Sequence, residues 1–188
     1  MKTSAIAFLT GILLFGTQAP FVASGSDAVA PAESRDGRSV PKQAKVITEA
    51  ELKTELVGHK GRVTILHFWA TWCEPCLTEL PFIARLAQEW KRKGIDFVPV
   101  SLDSPSEKSV RHVSEVLAQR VRDVHWSRVL KLSDASAFMS SVDPRWEGVI
   151  PAFFAYDQES KLRRSFVGNI DQSEFDKLIS GLVYPGKK

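Results

Sequence analysis

Apolar residues along this chain change their spacing several times, and each change marks an element. Between Arg62 and Ala70 the run RVTILHFWA is almost unbroken and rich in β-branched and aromatic side chains, the pattern of a buried strand. Just beyond it Leu80, Ile83, Leu86, Ala87 and Trp90 keep helical spacing, predicting a long helix from about Pro75 to Lys93 that Gly94 ends. IDFVPVSLD is a second strand pattern, followed by an amphipathic helix from Ser106 to Arg122 with Val110, Val113, Val116 and Leu117 on one face. The less regular stretch after it predicts a short strand near Val129 and a helix over Ala135–Val142. VIPAFFAYD and KLRRSFVG then read as paired strands around a turn at Asp157–Ser160. The last pattern, IDQSEFDKLISGLV, is a helix capped by Asp171 with Glu174 three residues on.

Upstream of the first strand, Thr48 and Glu51 have the spacing of a capping box and open a helix, TEAELKTELV, that ends at Gly58. Two β-α-β passages followed by a hairpin and a final helix predict an α/β fold, a sheet covered by helices. Residues 25–44 are rich in Ser, Ala, Pro, Gly and charge with no apolar period, which predicts a flexible linker. Lys2, an apolar run to Phe15 and the small-residue stretch at Val22–Ala23–Ser24 have the layout of a secretory signal. The run is short for a membrane span, although an uncleaved anchor is the alternative. The expected organisation is a signal over 1–24, a linker over 25–44 and one domain over 45–188, with the domain outside the cytoplasm.

Composition adds two exclusions. A chain of 188 residues with 44% hydrophobic residues can bury a core without disulfide staples. Its 25 basic and 22 acidic residues are interspersed, with no basic stripe of the kind that binds nucleic acid.

Both cysteines, Cys73 and Cys76, lie in WATWCEPCLTELP, between the first predicted strand and the long helix. A bridge closing so short a loop restrains the unfolded chain little, which makes a structural staple a poor use of them. Haem attachment needs His after the second cysteine, where this chain has Leu77. Structural zinc needs two more ligands, and His59, His67, His112 and His125 show no metal-ligand spacing. A C-x-x-C pair at a strand–helix junction is the redox pattern. Helix N-termini favour thiolates, so Cys73 is expected to be the attacking thiol and Cys76, one turn inward, the resolving one. Pro75 suits the first helical turn, where no N–H is needed.

FWATWCEPC, with Pro81 five residues beyond Cys76, resembles the thioredoxin fold, and CEPCLTELP more narrowly resembles the exported TlpA/ResA-like thioredoxins. The resemblance covers roughly Lys45 to Leu182. It implies a central mixed β-sheet flanked by helices, with an α/β insertion before the second half of the fold. By the same resemblance GVIPAFFAYD is the cis-proline segment, placing Pro151 against the disulfide and leaving the backbone of Ile150 to receive a substrate peptide as an added strand. Glu79 stands where the ResA-like branch carries an active-site glutamate, and at i+3 from Cys76 it shares a helix face with that thiol. Thioredoxin proper buries an aspartate where this chain has His67; a histidine on a buried strand is first a core residue, and a neutral one can still tune the site.

Trp69 reads as core and Trp72 as part of the exposed rim, while Arg145, Trp146 and Glu147 are candidates for the substrate groove, Trp146 alternatively capping the core. The implied activity is an exported thiol–disulfide oxidoreductase, mainly a reductase, that needs no cofactor or metal beyond the cysteine pair. Its expected partners are disulfide-bearing client proteins, for example in cytochrome c maturation, and a membrane-embedded thiol electron donor. The Glu-Pro dipeptide lacks the histidine of strongly oxidising sites, so the expected potential is roughly −200 to −270 mV. The alternative is a thioredoxin-fold copper-handling protein, for which the cysteine spacing is too short.

Overall fold

The computed structural model describes residues 44–121 and 128–182, and the expected signal and nearly all of the expected linker lie outside them. Eleven elements follow in order: β1 (Lys45–Thr48), α1 (Glu49–Gly58), β2 (Val63–Trp69), α2 (Glu74–Arg92), β3 (Ile95–Ser101), α3 (Glu107–Arg120), β4 (Arg128–Lys131), α4 (Ala135–Val142), β5 (Ala152–Tyr156), β6 (Leu162–Val167) and α5 (Gln172–Ile179). The six strands form one sheet in the order β1-β4-β3-β2-β5-β6. β1 to β2 run parallel, and β5 and β6 join antiparallel, so the sheet is mixed as expected.

β1 is the element the apolar pattern does not announce. It is four residues long at the sheet edge, and only Ile47 is buried, too short for a period of two to register. Its partner is β4, more than eighty residues away, in register Val46↔Val129. Ala44, the one described residue of the expected linker, is buried, and its N–H donates to Ser114 Oγ at 2.9 Å. The Thr48–Glu51 capping box is formed in both directions, and α1 starts directly after β1. α3 is slightly shorter than expected, beginning after its cap Ser106 and ending at Arg120.

Side chains of alternate residues on the central strands divide the core into two layers. Ile65 of β2 and Phe153 and Ala155 of β5 pack with α2, α3 and α5 through Leu80, Ile83, Trp90, Val113 and Phe175. Leu66 and Phe68 of β2 and Ala152 and Phe154 of β5 pack on the other face with Leu52 of α1, Phe138 of α4 and Trp146. β2 is buried along its whole length, which is why its sequence shows a continuous apolar run and no alternation.

α2 continues through Pro81, although proline lacks the N–H that would bond to the carbonyl four residues back. That carbonyl belongs to Leu77, and the Arg120 guanidinium of α3 donates to it at 3.2 Å. Among the described residues no helix is long and apolar enough to cross a membrane.

Candidate active site

The turn between β2 and α2 is held from below. Asp103, buried just past β3, accepts from the Thr71 N–H at 2.9 Å, the Thr71 hydroxyl at 2.5 Å and the Ser101 hydroxyl at 2.6 Å. Three donors satisfy a buried carboxylate that would otherwise be costly there. They also fix the backbone two residues before Cys73. Sequence reasoning missed Asp103, because a Ser-x-Asp at a strand end looks like ordinary turn chemistry.

Cys73 is the N-cap of α2, and its Sγ accepts from the Cys76 N–H at 3.3 Å. This places a sulfur where the unpaired N–H groups of the first turn converge, with Pro75 in that turn as expected. The two cysteines are joined by a disulfide with an S–S distance of 2.06 Å. Cys73 keeps a small exposed fraction, 6%, whereas Cys76 has none, so one sulfur is reachable from outside and the other is not.

Pro151 follows a cis peptide bond from Ile150, and the Ile150 carbonyl oxygen lies 3.8 Å from Cys73 Sγ. The segment is anchored behind by β6, where the Gly168 N–H donates to the Pro151 carbonyl at 2.8 Å. Around the disulfide two apolar side chains stand in solvent, Trp72 at 67% and Val149 at 57% exposure. Most large apolar side chains among the described residues are buried, so exposed ones next in sequence to Cys73 and to Ile150 stand out.

Trp146 does not belong to that surface. It is buried and stacks on Phe68 at 4.7 Å between ring centroids, and its indole N–H donates to the Val149 carbonyl at 2.8 Å. It caps the core and holds the loop that leads to Pro151. Arg145 is exposed but committed to Asp143, which accepts its Nε at 3.1 Å and its Nη2 at 2.9 Å.

Beneath the disulfide, on the α2 side of the sheet, lies a second polar group of residues. Glu79 is buried, with Oε2 accepting the Ile170 N–H at 3.4 Å. Its Oε1 lies 3.3 Å from Nε2 of His67, a fully buried side chain. That approach lacks hydrogen-bond alignment, and both ring nitrogens of His67 and Oε1 of Glu79 have no hydrogen-bond partner. The imidazole is stacked flat on Phe153 at 4.3 Å and lies 5.8 Å from Phe97 on the other strand. Burial pushes the His67 pKa down, while the Glu79 carboxyl pulls it up. The structure therefore brings Cys73, Cys76, Ile150 and Pro151 together, sets Trp72 at the rim, and buries Glu79 one helical turn beyond Cys76.

Among the described residues no cluster of three or more His, Cys, Asp or Glu is arranged to hold a metal ion. What the assembled groups support is sulfur chemistry, with one accessible sulfur, one buried partner and a buried carboxyl on the same helix.

Comparison with known proteins agrees with this geometry. The Redoxin family model matches residues 36–179. The chain is 39% identical over 139 residues to the thiol-disulfide oxidoreductase ResA of Bacillus cereus strain ZK / E33L, covering 73% of this chain and 74% of that one. It is 40% identical over 135 residues to ResA of Bacillus subtilis strain 168, covering 72% and 69% of the two chains. With ResA of Oceanobacillus iheyensis the identity is 43% over 63 residues, and the match spans only 33% of that relative's length. Among solved structures, a thiol:disulfide interchange protein of the thioredoxin family from Chlorobium tepidum superposes with a TM-score of 0.55 at 21% identity, covering 68% of this chain and 84% of that one. A secreted thiol-disulfide isomerase from Corynebacterium glutamicum superposes with a TM-score of 0.53 at 19% identity, covering 68% and 74%, and at such identities the likeness speaks for the fold. On the family match and the two long Bacillus alignments, this chain belongs to the redoxin family, in its ResA-like thiol–disulfide oxidoreductase branch.

Proposed function

We propose that this protein reduces disulfides in client proteins outside the cytoplasm, passing through a mixed disulfide on Cys73. The observation that carries the reading is the asymmetry of the pair, with Cys73 at the helix N-terminus keeping a small exposed fraction and Cys76 wholly sealed. Reduced Cys73 attacks a client disulfide as the thiolate, favoured by the first-turn N–H groups of α2. One client sulfur bonds to Cys73, and the other leaves as a thiol. Cys76 then attacks Cys73 Sγ, the mixed disulfide breaks, and the Cys73–Cys76 bond is restored with the client fully reduced.

The clients are polypeptides with cysteines in an extended, apolar setting. The Ile150 carbonyl beside Cys73 offers strand pairing to a client backbone, and Trp72 and Val149 offer it apolar contact. Apocytochrome c is a client of this chemistry. The signal pattern at the N-terminus supports export, and a reductase in an oxidising compartment requires an electron donor on the membrane. Glu79 takes the proton that Cys76 loses as it attacks. The cysteine pair supplies all the electron chemistry, and the reaction uses no other cofactor.

Trapping tests the reading. A Cys76→Ser variant attacks through Cys73 and cannot resolve, so it accumulates covalent complexes with exported cysteine-bearing proteins, released by dithiothreitol. Absence of such complexes in cells that express the variant at parental level would count against a client reductase.

A further inference from the structure

His67 and Glu79 pose a problem that a resting carboxylate does not solve. Three polar atoms, His67 Nδ1, His67 Nε2 and Glu79 Oε1, are buried without hydrogen-bond partners, and two of them face each other at 3.3 Å. Orphaned buried polar groups cost stability, and a residue such as leucine or phenylalanine at position 67 would avoid most of that cost. The ring is also held firmly. It lies flat on Phe153, its register partner across β2 and β5, at an interplanar angle of 8°, and the Phe97 ring is 5.8 Å away. With its face on Phe153, the ring meets Glu79 through Nε2 on its edge.

We propose that His67 is the positioning residue for Glu79: it gives Oε1 a hydrogen-bond partner in either protonation state of the carboxyl. Glu79 can then take up and return the Cys76 proton without stranding a buried oxygen. The inference rests on the client-reductase reading, in which Glu79 serves Cys76. A neutral imidazole carries one N–H and one lone pair. Toward an ionised Glu79, Nε2–H donates to Oε1. Toward a protonated Glu79, the same Nε2–H still donates to Oε1, with the carboxyl proton on Oε2, so the ring proton never has to move. The other partner, the Ile170 N–H, only donates. Burial, which lowers the His67 pKa, keeps the ring in the neutral form this exchange requires. The misaligned 3.3 Å approach belongs to the disulfide form, in which no proton is in transit, and catalytic hydrogen bonds commonly tighten only when the reacting partner is present.

Protons and electrons balance in the step concerned. The bond between Cys73 and the client sulfur breaks, and the Cys73–Cys76 bond forms. The client sulfur is reduced and Cys76 is oxidised, while the Cys76 proton passes to Glu79 and then to the departing client thiolate. The groups facing His67 are few. Its register partners are Pro99 of β3 and Phe153 of β5, neither of them charged, and Glu79 is the charged group that acts on the ring. Cys76 is the remaining titratable group nearby on α2, once reduced.

Rapid mixing of the reduced protein with a fluorogenic peptide disulfide separates Cys73 attack from resolution by Cys76. His67→Phe should slow resolution by about tenfold and displace its pH profile, with attack unchanged. Its stability should equal or exceed the parent's, because an apolar ring replaces an orphaned polar one. His67→Gln, whose amide both donates and accepts, should recover most of the lost rate. A His67→Phe profile that overlays the parent's, while Glu79→Gln displaces it, overturns the proposal and leaves the role of Glu79 standing. If Glu79→Gln also overlays the parent, the carboxyl's role fails and this proposal with it. A measurement on the parent protein guards against misfolded variants. The ¹⁵N signals of the His67 ring should show a neutral imidazole with a hydrogen-bonded Nε2 in the reduced parent, and a ring free of any hydrogen bond overturns the contact.

Discussion

Glu79 shares a helical face with Cys76, and its carboxyl is buried between the Ile170 N–H and the His67 ring. On the proposed role Glu79 acts when a proton moves, so its loss should be visible in one step and not in others. Glu79→Gln keeps the shape and the contact with Ile170 and removes the base. Resolution should fall by roughly a hundredfold while Cys73 attack is unchanged, as measured by rapid mixing with a peptide disulfide. Asp143 makes the opposite case, a carboxyl whose work is structural. The Arg145 guanidinium and backbone N–H and the Ser165 hydroxyl hold its pKa at about 2, below the ordinary 3.8. The unfolded chain therefore binds more protons than the folded one between those values. The stability this site adds is present above the unfolded pKa and is lost as pH falls through the folded one. Urea denaturation as a function of pH should show an acid limb between about pH 4 and pH 2 that is shallower in Asp143→Asn than in the parent.

Elements place these residues, and some of them depend on distant help. The β2–α2 turn is fixed by Asp103 from beyond β3, and α2 runs through Pro81 with the Leu77 carbonyl served by Arg120 of α3. The approach to β5 depends on Gly148, which has φ +85°, and a Cβ there would lie 2.6 Å from the Met139 sulfur of α4. Left-handed backbone costs a non-glycine residue about 1–2 kcal/mol, and the methionine must also move. Gly148→Ala should therefore lower stability by at least that amount and shift the Ile150–Pro151 segment, slowing attack on peptide disulfides. A parental attack rate in a destabilised variant would separate the loop from client binding. The long elements were legible from apolar spacing because each buries one continuous face, and Ala135–Val142 is found at the expected bounds. β1 was not legible, since four residues carry no period and their partner lies on β4.

At the scale of the molecule the sheet separates two cores, and the disulfide belongs to one of them. Cys73, Cys76 and the α2 side form one layer, while Leu52, Leu66, Phe138 and Trp146 form the other. Leu52→Ala deletes a side chain that is 1% exposed in the second layer, and should cost about 2–5 kcal/mol of unfolding free energy. Below its own midpoint the variant should still reduce peptide disulfides at the parental rate. A parallel loss of rate and stability would show that the two layers are coupled across the sheet.

The chain's own order of residues determined the cysteine pair at a strand–helix junction, the succession of long elements and the likeness to ResA-type thioredoxins. These are local properties, since a spacing of three residues, an apolar period and a proline in the first turn are all written within a few positions. The place of Pro151 beside Cys73 was reached only through the family likeness, while spacing put Glu79 on the face of Cys76 and the likeness gave it a role. Tertiary structure decided the rest. It put Trp146 in the core instead of the client groove, set Asp103 under the active-site turn, and turned His67 toward Glu79. No local pattern could have announced those contacts, because they join residues on different elements and exist only once the sheet has closed.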